Sequence, residues 1–260
     1  MSGRKLLVVA CAAIYIFLML PLLVVFPISL SSAPYMQFPP PGLSWQWYGR
    51  YFADPQWIDA TLRSLQIGLA TSVLALLLGV PLSFSLVRGK FPARQLLDRL
   101  TMAPIVVPTI IFSVAIYGLF SRMKLIGEWY GLALAHTVLA LPFVVLVMVA
   151  GLRDFDRALE QAAEGLGASR WQTLRRITLP ILRPSLISAG LLAFISSFDE
   201  VVVAMFLAGA RMTLPKKMFD NILIEIDPTI AAVSVMQILL VAIVLFVIGR
   251  FGRGLSATAR

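Results

Sequence analysis

Residues 151–184 read GLRDFDRALEQAAEGLGASRWQTLRRITLPILRP, a long polar stretch with helical signatures set between apolar blocks. Phe155, Leu159, Ala162, Ala163 and Leu166 recur at i, i+4, i+7, i+8 and i+11, which puts them on one face of a helix. Asp156 is placed to cap the start of that helix and Gly167 to end it in the left-handed conformation. Ser169 and Gln172 have the spacing of a capping box for a second helix, which Pro180 is expected to stop. The stretch therefore reads as a knob of two short amphipathic helices on an otherwise apolar chain. Such a knob either rests on lipid headgroups or is presented to a partner.

The chain around it belongs to a bilayer. Of 260 residues, 59% are hydrophobic and only 13% charged, against about 25% charged in an ordinary globular domain. Lys and Arg number 22 against 13 Asp and Glu, a net charge of 22 − 13 = +9. In a soluble protein that excess points to nucleic acid. Here the basic residues sit between apolar runs, so membrane topology explains them and no nucleic-acid partner is expected. The one cysteine, Cys11, excludes an internal disulfide and a Cys-based metal cluster.

A helix needs about 20 apolar residues to cross the hydrocarbon core. By that measure a single transmembrane domain is expected over 1–260, with spans at about 6–28, 64–87, 100–121, 130–152, 184–207 and 228–249. The loop at 153–183 lies between the fourth and fifth. The first apolar run is too long for a cleaved leader and reads as a retained span. Pro104 and Pro108 must kink or break the start of the third span, and Pro142 sits inside the fourth. The tails and the two even-numbered loops hold 15 of the 22 Lys and Arg, leaving 22 − 15 = 7 elsewhere. The positive-inside rule places both termini and the knob in the cytoplasm. Four of the five tryptophans, Trp45, Trp47, Trp57 and Trp129, fall on the opposite side.

The sequence carries no energy source. Gly89-Lys90 is followed by Phe91 and lacks the upstream glycine of a phosphate-binding loop. No nucleophile elbow, HExxH or His/Cys cluster occurs, so neither catalytic residues nor a bound metal are expected. The lone histidine, His136, reads as a packed, hydrogen-bonded residue.

Glu160-Gln161-Ala162-Ala163, Gly167-Ala168 and Ile177-Thr178-Leu179-Pro180 resemble the signature loop of the inner-membrane permease subunits of ABC importers. That family has Glu-Ala-Ala, three residues, Gly, then about nine residues to Ile-x-Leu-Pro. Here Gln161 stands where the family has its glutamate, flanked by Glu160 and Glu164. The resemblance extends through Ser197–Val203, Phe206–Gly209, Leu214–Met218 and Asp227–Ala231, which look like the second permease subunit of spermidine/putrescine importers. Permeases for ferric iron, sulfate, molybdate and aminophosphonates share the loop, so it identifies the machine better than the cargo.

The resemblance implies an all-α fold of six transmembrane helices, the type I importer permease fold, in a bacterial inner membrane. It implies a second permease subunit, expected to be a different chain, two ATP-binding cassette ATPases that hold ATP and Mg, and a solute-binding protein. Glu160, Gln161, Ala162, Ala163, Gly167, Ala168, Leu179 and Pro180 would then form the ATPase-coupling surface. Small residues there permit close approach, and Gln161 in place of the motif glutamate removes one charged contact.

Asp199 and Glu200 are the physical clue to cargo. On a helix starting at Pro184, Asp199 would lie about 22 Å along, in the outer half of a core of about 30 Å. A carboxylate there costs about 2.5–3.5 kcal/mol to insert and should face a cavity or a partner. Neighbours differ by about 100°, so one of the pair is expected to face the pathway. That residue would attract a cationic amine such as a polyamine; otherwise the pair supplies a helix-end carboxylate paired to an Arg or Lys of this chain or of its partner. A self-contained secondary carrier and a non-transporting scaffold are the rival classes.

Overall fold

The computed structural model describes residues 3–224 and 226–256. Its helices are α1 (Gly3–Ser29), α2 (Gln46–Ala53), α3 (Pro55–Arg88), α4 (Arg94–Val106), α5 (Thr109–Arg122), α6 (Trp129–Asp154), α7 (Ala158–Gly165), α8 (Arg170–Thr173), a π turn (Leu174–Thr178), α9 (Leu179–Ile181), α10 (Arg183–Phe198), α11 (Val202–Leu207), α12 (Leu214–Ile224) and α13 (Thr229–Ser256). Among the described residues the only strand-like pairing is one bridge between Ser31 and Leu43. The all-α expectation holds.

Among the described residues three helices, α1, α3 and α6, are long and apolar enough to cross a membrane unbroken. The expected third span is instead a pair, α4 and α5, bent by 105°. Pro104 lies inside α4, so the break falls at Val107–Pro108, where extended ψ values of 125° and 128° turn the chain. Residues preceding proline are pushed out of the α region by its ring, which explains Val107. Pro142 sits inside an uninterrupted α6 and is no hinge. In α13, Thr229–Ile243 is a shorter apolar helix, and Arg260, counted with the inner charges, lies outside the described residues.

The fifth span departs most from expectation. Its helix α10 ends at Phe198, and Asp199, Glu200 and Val201 interrupt it before α11 resumes. The continuous helix assumed from Pro184 to Leu207 is thus wrong, and Asp199 is the C-cap of α10 rather than a residue in its interior. Pro180 also fails to stop the second loop helix. The π turn precedes it and the Leu179 N–H bonds back five residues to the Leu174 carbonyl. The widened turn moves away the carbonyl that a proline ring would strike, and Pro180 occupies a first-turn position where no donor is needed. The chain turns later, by 69°, between Ile181 and Arg183.

The chain divides into two units, one of residues through Asp59 with Lys217–Gly254, the other centred on Ala60–Lys216. In the first unit α1 leaves its apolar side chains exposed, Phe17 at 75% for example. Ordered packing there centres on Trp47, whose indole N–H donates to the Ser31 carbonyl at 2.7 Å, and on an Arg50–Asp227 ion pair at 3.0 Å. The second unit holds two apolar clusters. Ile67, Phe120, Leu132, Val203 and Leu207 form one; Met148, Leu152, Phe155, Leu182 and Ala189 form the other.

Small residues set how closely these helices approach. The Ser72 hydroxyl donates to the Gly190 carbonyl at 2.7 Å, and a Cβ at Gly190 would lie 3.0 Å from Leu76. Without a hydrophobic drive between helices in lipid, such close backbone approach and side-chain hydrogen bonds hold a bundle together. Among them runs a buried polar chain. His136 Nδ1 bonds Ser197 Oγ at 2.7 Å, Ser197 Oγ donates to Thr71 Oγ1 at 3.2 Å, and Thr71 donates to the Ala133 carbonyl at 3.3 Å. His136 is the packed, hydrogen-bonded residue expected, and it ties α3, α6 and α10 together.

Candidate functional site: the loop after Asp154 and the break at Asp199

The loop begins as α6 ends. Phe155 is extended and buried against Leu152 and Leu182, which fixes the exit direction of the chain. Asp156 then accepts the Ala158 N–H at 2.9 Å through its carboxylate, as its position at the helix start predicts. α7 closes at Gly167, whose φ is +91°. The Ala168 N–H reaches the Ala163 carbonyl at 3.0 Å and the Gly167 N–H the Glu164 carbonyl at 3.0 Å. That pair of bonds is a Schellman motif. Ser169 and Gln172 form the full capping box, with bonds of 2.9 and 3.3 Å.

The exposed side of this loop is apolar and basic. Leu166 is 91% exposed, Trp171 65% and Leu159 46%. Gln161, Ala162, Gly165 and Gly167 are exposed between them, as are Arg170, Arg175 and Arg176. The face expected from periodicity is therefore split: Phe155 is buried in this chain, whereas Leu159 and Leu166 face away from it.

Glu160 behaves differently from its neighbours. Its carboxylate turns inward, pairing with Arg88 at 3.0 Å and accepting a hydrogen bond from the buried Thr178 hydroxyl. Arg88 closes α3 and lies over the Phe84 ring at 4.8 Å and the Phe155 ring at 5.8 Å. Leu179 and Pro180 are half-buried, and Ala163 and Ala168 likewise. The eight loop residues singled out by sequence thus sort into an outward set around Gln161, Ala162 and Gly167, and an inward set led by Glu160. Sequence reasoning missed Arg88, because it reads as one more inner-side basic residue; its position at the end of an apolar helix gives no sign of a partner 72 residues away.

The carboxylate pair also separates. Glu200 folds back, its Oε1 accepting the Val203 N–H at 3.1 Å at the start of α11. Asp199 is exposed and has no ion pair among the described residues. One carboxylate of the two is exposed and the other is held by the Val203 N–H, a division made by the helix break and not by the 100° spacing of a continuous helix. Neither loop nor break holds a cluster of His, Cys, Asp and Glu fit for a metal among the described residues.

Comparison with known proteins assigns the chain to a family. Residues 72–257 match the family of binding-protein-dependent transport system inner membrane components. The spermidine/putrescine transport system permease protein PotC of Haemophilus influenzae is 30% identical over 228 residues, covering 87% of this chain and 88% of that protein. The putrescine transport system permease protein PotI of Escherichia coli K12 is 32% identical over 214 residues, 79% of this chain and 76% of that protein. Among solved structures, a bacterial ABC transporter that imports the acidic polysaccharide alginate superposes with a TM-score of 0.73 at 21% identity, over 96% of this chain and 97% of that one. The chain belongs to the binding-protein-dependent transport system inner membrane component family, as a permease subunit of an ABC importer.

Proposed function

We propose that this chain forms half of the translocation pathway of an ATP-driven importer for a polyamine or a related cationic amine. It crosses the membrane six times with both termini in the cytoplasm, and pairs with a second, different permease subunit. Two ATPases dock on the exposed face of the 153–183 loop, and a solute-binding protein delivers cargo from the opposite side. Any ATP and Mg are held by the ATPases, and this chain hydrolyses nothing.

The observation that carries the docking reading is the exposure of Leu166 and Trp171 beside small residues and three arginines on a well-capped loop. Exposed tryptophan and arginine side chains are the kind that anchor a partner, and small residues beside them leave room for it to approach. Transport then follows from linkage: ATP and loaded binding protein favour a different arrangement of the pore than the empty components do.

The cargo reading rests on Asp199 and on the two polyamine permeases among the relatives. A free carboxylate at a helix break attracts ammonium groups and repels an oxyanion, which favours amines over the sulfate-like cargoes handled with the same loop. The test is reconstitution of the full complex with its binding protein. Spermidine or putrescine should stimulate ATP hydrolysis and be taken up; stimulation by an oxyanion and not by either amine contradicts the cargo assignment.

A further inference from the structure

We infer that Arg88, with Glu160 and Thr178, is the joint through which movement of the docking loop enters the transmembrane bundle, making Arg88 a positioning residue for coupling. The inference rests on the reading of the loop as the ATPase docking site.

α7 is the exposed helix of the loop. Most of its surface faces away from the chain, and none of its residues is buried. Glu160 gives it a polar anchor, tied at once to the end of α3 through Arg88 and to the π turn through Thr178. Thr178 is fully buried, so the anchor grips the part of the second loop helix that is itself held in the core. A displacement of α7 larger than the pair itself can absorb must either break this anchor or carry α3 with it.

From Arg88, α3 leads back toward Thr71 and Ser72. Arg88 is 17 residues from Thr71, about 25 Å along a helix at 1.5 Å per residue. α3 runs that distance with Pro81 inside it and no interruption. At the far end, Thr71 and Ser72 bond to α6 and α10, and Ser197, two residues before Asp199, donates to Thr71. One continuous helix therefore runs from the loop to the polar groups beside the helix break.

Arg88 is only partly engaged. It contacts Glu160 through Nη1 alone, while its Nε and Nη2 are buried without an acceptor. A guanidinium reaches full strength with a carboxylate when two donors face two oxygens. The joint thus has slack: a small shift of α7 can move Glu160 from one donor to two without releasing it. Stacking on Phe84 and Phe155 keeps the guanidinium in place while that happens.

The test uses the complete complex, wild type against Arg88→Gln, Arg88→Lys and Thr178→Val. Three readouts are taken: ATPase copurification, ATP hydrolysis, and substrate moved per ATP. Coupling free energies between sites correspond to about 5–150-fold effects. The inference predicts that R88Q retains the ATPase and hydrolyses ATP, while substrate moved per ATP falls at least about fivefold, toward the low end of that range. R88K, which keeps the charge, recovers part of the ratio, and T178V falls between R88K and R88Q. A joint that only keeps the loop folded lowers assembly and leaves the ratio intact. An unchanged ratio in assembled R88Q overturns the inference, and if R88Q does not assemble, an unchanged ratio in T178V does so. If wild-type chain retains no ATPase, the docking reading fails, and that result is read without any variant.

Discussion

Asp199 and Glu200 are adjacent carboxylates with opposite expected behaviour, and paired substitutions separate them. Glu200→Ala removes the acceptor for the Val203 N–H. Loss of a helix N-terminal acceptor costs about 0.5–2 kcal/mol, so the detergent-solubilised protein should melt earlier. Its uptake rate per folded complex should stay close to wild type. Asp199→Asn keeps the shape and removes the charge. An ammonium passing at about 6 Å, with an effective dielectric constant of about 20, is attracted by about 332/(20 × 6), or roughly 3 kcal/mol. Asp199 is exposed, and solvent screening reduces a contact of that kind to about 1 kcal/mol. That corresponds to about a fivefold fall in uptake. The assay is spermidine uptake into proteoliposomes at saturating binding protein, with thermal melting of the same preparations. Raising ionic strength should narrow the difference between wild type and D199N, because salt screens exposed charges. Wild-type uptake by D199N, at low salt and with melting unchanged, refutes the assignment of Asp199 to the cation pathway.

Two backbone predictions follow from the glycines. Gly167 holds φ +91°, so Gly167→Ala should cost about 1–2 kcal/mol locally and speed hydrogen exchange of the α7 and α8 amides while the rest of the chain is unaffected. A Cβ at Gly151 would lie 2.2 Å from Ser185 Oγ and 2.9 Å from its Cβ. Gly151→Val should therefore prise α6 from α10 and abolish a sharp melting transition, whereas Gly165→Ala, with nothing within 4 Å of the added methyl, should leave melting the same or slightly higher.

The parts of the fold that could be read from sequence are those set by local rules. Gly167, Ser169 and Gln172 obey backbone and capping preferences that need no tertiary information, and all three do in the structure what those preferences require. The break at Pro108 follows in the same way. Pro180 shows the limit of such rules: a proline ends a regular α-helix, but a preceding π turn relieves its clash, and nothing in Leu174–Thr178 announces that turn. The interruption at Asp199–Val201 lacks a proline or glycine altogether, so no local rule could find it. Apolar periodicity also could not say which loop side chains stay in the chain. Phe155 and Leu166 belong to one helical face on paper, yet one is buried and the other 91% exposed. That division depends on Leu152 and Leu182 meeting Phe155, which is a tertiary fact. The inward turn of Glu160 has the same origin, since its partner Arg88 is distant in sequence.

Docking of an ATPase on the 153–183 loop is tested by copurification in mild detergent. Burying a whole leucine side chain is worth about 1.5–3 kcal/mol, and Leu166 is 91% exposed, so nearly all of that is open to a partner. Wild-type chain should retain a P-loop ATPase through purification. A Leu166→Asp and Trp171→Asp double variant, altered only at exposed positions, should melt normally and lose the ATPase. Failure of the wild-type chain to retain any ATPase, or full retention by the double variant, contradicts the claim.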